Sequence, residues 1–159
     1  MKAPKIILTA LGLACLLLTV PERAVLAGQR IPPELTGRWT GDGEIIVTWC
    51  QQRRMPFDLT IDAAGNVSGT VGDAVLKNAS LNRRTRLMTR LGNGDWIIQA
   101  TLDGSLVAAE GIRREKIWLM LTLKEQQLEG GLNTSGWHIG GKKTMFLSVR
   151  RIVLKRSAA

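Results

Sequence analysis

The chain has 159 residues, of which 45% are apolar and 22% charged, with a formal net charge of +9. That is one ordinary domain, too apolar for a disordered segment and long enough to bury a core without covalent staples. Two cysteines and one histidine exclude a disulfide framework and a His/Cys metal cluster.

Residues 1–27 have the layout of a secretory signal peptide. Lys2 and Lys5 precede an uncharged, mostly apolar run from Ile6 to Val20, Pro21, Glu22 and Arg23 break it, and the small side chains around Ala27 suit a signal peptidase. The apolar run is shorter than the roughly 20 residues a membrane-spanning helix needs. Cys15 is not expected to carry a lipid, because Gly12 stands where a large aliphatic residue would be and Leu16, Leu17 and Leu18 continue the apolar run. Export to a bacterial periplasm or beyond is the expectation. Cleavage removes Lys2, Lys5, Arg23 and Glu22, lowers the net charge from +9 to +7, and leaves Cys50 as the single thiol. A small buried residue is the plainer expectation for it than a reactive one.

Residues 28–35 are expected to be an extended arm, since Pro32 and Pro33 oppose helix and ladder hydrogen bonding. A β-meander follows over 36–156, with 157–159 as a tail. Turn residues recur between short runs rich in Val, Ile, Leu, Thr and Trp, with no sustained 3.6-residue period. Strands are expected over 37–50, interrupted by Gly41, Asp42 and Gly43, and from Phe57 to Asp62, where Phe57, Leu59 and Ile61 alternate with polar residues. Further strands are expected over 67–71, 74–87, 95–102, 105–111, 116–124, 127–132 and 144–154. In 117–123, Ile117, Leu119, Leu121 and Leu123 share one face, with Trp118 and Met120 on the other, so both faces need cover. Eight or nine strands in this order suit a single up-and-down antiparallel barrel, which leaves no free edge. A membrane barrel would need an apolar outer band with aromatic girdles, and this chain has no Tyr and two Phe.

Leu35, Thr36, Gly37, Arg38, Trp39, Thr40, Gly41 and Asp42 resemble the first-strand signature of the calycin barrels, the group of lipocalins and avidins, in which Gly-x-Trp opens the first strand. Lys143, Thr144, Met145, Phe146, Leu147 and Ser148 are similar to a late avidin strand, with Phe146 where that family has Trp. The resemblance implies a calycin-like barrel marked by Gly37 and Trp39, with an arginine of the last strand, Arg150 or Arg151, packed over the Trp39 indole. The Thr-Asp-Tyr motif of lipocalins is missing, and without Tyr the avidin pocket lacks one of its hydrogen-bonding groups. Biotin binding is not implied.

The carboxylates fall mostly at turns or on polar strand faces and form no close acid/base pair, so no catalytic residue, metal ligand or cofactor is expected. Trp96, Trp118 and Trp137 are the candidates for lining a ligand pocket. The Gly-rich stretch from Gly130 to Gly141, followed by Lys142 and Lys143, reads as a linker or as a binding loop at a barrel mouth that holds His138. Arg83, Arg84, Arg113 and Arg114 are the candidates for polyanion binding if they converge on one face, although no aromatic stacking platform accompanies them and specific nucleic-acid recognition is not expected. Two functions follow: a non-catalytic barrel holding a small apolar or anionic ligand inside or at its mouth, or an interaction protein docking a protein or polyanion through basic loops. An enzyme is the least supported reading.

Overall fold

The computed structural model describes residues 30–85, 87, 89, 94–134 and 147–157. In it the alternating segments pair into a closed, all-β antiparallel barrel. Its eight walls are β1 (Gly37–Ile45), β2 (Arg54–Ile61), β3 (Asn66–Val71), β4 (Ala74–Arg83), β5 (Trp96–Asp103), β8 (Lys116–Lys124), β9 (Gln127–Thr134) and β10 (Ser148–Arg156). They close in the order β1-β10-β9-β8-β5-β4-β3-β2. Closure pairs every wall strand on both sides and leaves no edge for another chain to extend. The segment expected as a strand over 105–111 leaves the wall. Its first part, β6 (Ser105–Val107), pairs instead with β7 (Ile112–Arg113) in a separate two-stranded sheet. A 3-10 turn at Ala108–Glu110 ends β6, and Gly111 supplies the left-handed residue that reverses the chain.

Alternation decides the two faces. Inward positions such as Phe57, Leu59, Ile98, Leu119, Leu121, Leu132 and Ile152 join one continuous buried cluster. The outward positions carry Arg38, Asp42, Glu44, Arg54, Asp58, Lys77 and Lys124, all exposed or half-exposed. A polar outside around an apolar inside is the reverse of a lipid-facing barrel. Among the described residues no helix is long and apolar enough to cross a membrane.

At the end where β1 begins, the expected extended arm is instead a 3-10 turn at Pro33–Leu35. Proline is tolerated there because the first residue of such a turn needs no N–H donor. The turn drives Leu35 into the core beside Ile31 and Trp39, and the indole N–H of Trp39 donates to the Leu35 carbonyl at 2.9 Å. The arginine over that indole is Arg156, 5.5 Å from the ring centroid, and neither Arg150 nor Arg151 as expected. Antiparallel register is the reason: β10 ends beside the start of β1, so Trp39 faces Arg156, whereas Arg150 faces Glu44 at the far end. The Arg156 guanidinium also donates to the carbonyls of Pro33, Glu34 and Thr36. One side chain thus caps the orphan carbonyls of the turn and covers the ring. Gly37, the other residue of the signature, sits beneath the same guanidinium with φ +117.

The turn expected at Gly41, Asp42 and Gly43 does not form, and β1 runs through it. A Cβ on Gly41 would strike the Val153 carbonyl, and one on Gly43 would lie 2.6 Å from the Ile152 and Val149 side chains. These glycines are where β10 and its inward side chains approach β1 too closely for any side chain between them.

The opposite end is closed by the β6–β7 hairpin and the β1–β2 loop. Cys50, Leu106, Val107, Ile112 and Leu147 are buried there. Asp73 accepts from the Ala108 N–H, and the Glu110 carboxylate accepts from the N–H groups of Gln51 and Gln52 at 2.8 Å each, with the Cys50 thiol at 3.4 Å. Those contacts, led by the Gln52 N–H, hold the Glu110 carboxyl below the usual carboxylate range. Burial, then the neighbouring carboxylate, pushes the Cys50 thiol up, so Cys50 stays a protonated thiol at neutral pH.

Candidate groove on the outer wall

With both ends closed, a sizeable concavity lies outside the barrel. It is an open groove of about 1060 Å³ across the outer faces of β8, β9 and β10. A barrel wall is convex, so a hollow on it needs a local cause, and three local features supply it.

The first is the floor. Gly130 and Gly131 lie in β9, and Gly131 takes an outward position between Met120 of β8 and the irregular part of β10. With no side chain there, the groove bottom is bare backbone flanked by the Met120 side chain. The second is the wall on the β10 side. Pairing of β10 with β9 shifts between Val149 and Ile152, which marks a β-bulge. Val149 and Ile152 point into the core, while Arg150 and Arg151 between them are both exposed and both line the groove. Arg151 sits at φ +50, in the left-handed region a non-glycine residue rarely adopts. The third is the opposite wall, where Thr89, Gly94 and Asp95 stand against β8 on the way into β5.

Charges in the groove are mostly spoken for. Lys124 bonds Glu129 at 2.9 Å, and Arg151 bonds Glu44 at 2.9 Å. Arg150 makes no hydrogen bond or ion pair among the described residues. Beside it, the Ser148 hydroxyl donates to the Asn133 side-chain oxygen at 3.1 Å, which leaves the Asn133 amide N–H groups pointing to no partner among the described residues. One unpaired guanidinium with a neighbouring amide donor is an arrangement that receives an oxyanion.

The expected site residues are dispersed. Trp96 faces inward and is 8% exposed, whereas Trp118 faces outward on β8 and is half-buried, so the two share no pocket, and neither lines the groove. Trp137, His138, Lys142 and Lys143 lie outside the described residues. Arg83 and Arg84 stand at the Trp39 end of the barrel, whereas Arg113 and Arg114 stand at the opposite end, in and just after β7. The convergence on which polyanion binding depended does not occur between these two pairs. Burial lowers the Arg114 guanidinium pKa. Among the described residues no group of three or more His, Cys, Asp or Glu side chains is placed to hold a metal ion.

The groove itself escaped the sequence reading. Gly130 and Gly131 fall both in the strand expected over 127–132 and at the start of the Gly-rich stretch, and the resemblance implies Arg150 or Arg151 over Trp39. A doubled glycine inside an otherwise alternating strand is the signal that pointed to it. No family model, curated protein or solved structure matches the chain.

Proposed function

We propose that this chain is an exported, non-catalytic β-barrel that binds an anionic partner on its outer wall, over β8, β9 and β10. The carrying observation is that the barrel is plugged at both ends while an open concavity, holding an Arg150 that is unpaired among the described residues, lies outside. An enclosed ligand would have to displace Leu35 and Trp39 at one end, or Leu106 and Val107 at the other, each 0–1% exposed. Export rests on the signal-peptide layout of residues 1–27. A calycin relationship is supported by Gly37, Trp39 and the arginine stacked on that indole.

Retention of the chain from residue 28 onward on a phosphate-bearing resin tests the reading. Arg150→Glu and Arg113→Glu change the net charge equally, and both residues are exposed. A localised site predicts that Arg150→Glu lowers the eluting salt concentration clearly more than Arg113→Glu. Equal shifts would mean diffuse attraction to a basic surface, and the proposal would fall.

A further inference from the structure

Building on the outer-wall reading, we infer that the groove takes a small anionic amphiphile, with its oxyanion on Arg150 and its short apolar chain lying over Gly131 between Met120 and Val153. The charge count decides against a polyanion. Among the described residues three cations line the groove, with Asp95 on its opposite wall; Lys124 and Arg151 are already held by Glu129 and Glu44, which leaves one guanidinium unpaired among those residues. One free cation matches one anionic group. A polyanion gains affinity by neutralising many charges at once.

The rest of the ligand follows from what surrounds that cation. Towards β8 lies Gly131, whose outward position meets nothing nearer than the Val149 carbonyl at 3.3 Å. Met120 pairs directly with Gly131 and is only half-buried. Just past the bulge that faces Gly131, Val153, an outward aliphatic residue of β10 paired with Glu129, is 37% exposed. Bare backbone between two flexible or branched apolar side chains is a track for a hydrocarbon chain, whose burial contributes about 0.8 kcal/mol per methylene. A hollow of about 1060 Å³ is at the scale of a small-molecule site.

The bulge supplies a reason for the strain. A regular strand would send Arg150 and Arg151 to opposite faces, one of them into the core. The left-handed Arg151 keeps both outside, where Arg151 is tied to Glu44 and Arg150 has no partner among the described residues. A strained backbone that places a cation at a groove is the pattern expected of a binding feature.

Calorimetric titration with decyl phosphate, decanoate, decanol and inorganic phosphate, all below micelle-forming concentrations, tests the inference. Decyl phosphate and decanoate are expected to bind saturably, each at least ~10-fold more tightly than decanol or inorganic phosphate. Arg150→Ala should reduce both anions to the level of decanol, and Arg150→Lys should restore part of the loss. Val153→Asp should weaken both anions by ~10-fold. Both substituted residues are exposed, so unchanged melting temperatures will show that each variant is folded. If decyl phosphate binds no more tightly than inorganic phosphate, the chain-binding track is wrong while the anion site stands. If the anions bind but Arg150→Ala and Val153→Asp leave their affinities unchanged, the ligand sits elsewhere and the outer-wall reading falls as well.

Discussion

Two arginines of β10, six residues apart, do different work. Arg156 covers the Trp39 ring and bonds three carbonyls of the turn before β1, while Arg150 bonds nothing among the described residues. Stability should separate them. Arg156→Ala removes a cation–π contact and charge-assisted bonds, and is expected to cost about 2 kcal/mol. Arg150→Ala should change stability by less than about 0.5 kcal/mol, as a surface substitution does. Urea unfolding of the two variants measures both, and a larger loss for Arg150→Ala would reverse the assignment. The resemblance to calycin barrels implies a last-strand arginine over Trp39, as Arg150 or Arg151, and the structure puts Arg156 there. Position along β10 is set by pairing with β1, more than 100 residues earlier, and nothing near Arg150 or Arg156 encodes that register. Burial of Cys50 was easier to read, because a lone small thiol in an apolar stretch has few other roles.

Among the elements, those with strict alternation were legible and those shaped by close approach were not. The strand expected over 116–124 has those bounds in the structure, since Ile117, Leu119 and Leu121 repeat on one face without a glycine. Gly41 and Gly43 look like turn residues, and only contact with β10 shows that they are strand positions with no room for a side chain. That difference is measurable. A turn glycine with ordinary φ accepts alanine at little cost, but here Gly41→Ala forces a methyl group onto the Val153 carbonyl. It should destabilise the barrel by about 2 kcal/mol or more. Thr60→Ala on the exposed face of β2 should cost under about 1 kcal/mol. Chemical unfolding of the pair distinguishes a strand glycine from a turn glycine. For the same reason the groove was invisible in the sequence. It arises where Gly131, the bulge at Arg150 and Arg151, and the approach of Gly94 to Leu121 meet across three strands and a connection.

At the scale of the whole molecule, architecture and charge point the same way. A closed up-and-down barrel of eight or nine strands was legible from turn punctuation and alternation, because each local choice agrees with the closed sheet. Whether its interior was open was not legible, since identical alternation serves a hollow barrel and a filled one. The structure places large aliphatic side chains along the inside, a 3-10 turn in one mouth and a hairpin in the other. The basic residues are spread over both ends and the wall, and among the described residues five of them stand in exposed ion pairs, Arg38–Asp58 and Lys77–Asp103 among them. Such pairs are individually weak. The proposed function is therefore placed on the wall, where a hollow coincides with a guanidinium unpaired among the described residues.

The most direct measurement of that claim is methyl NMR of the chain from residue 28 onward under xenon pressure, because an apolar cavity of ligand size takes up xenon. A filled barrel predicts no saturable shifts at the inward methyl groups of Ile98, Leu119 and Leu132. Saturable shifts at those methyls would reveal an enclosed cavity and contradict an outer-wall binding protein.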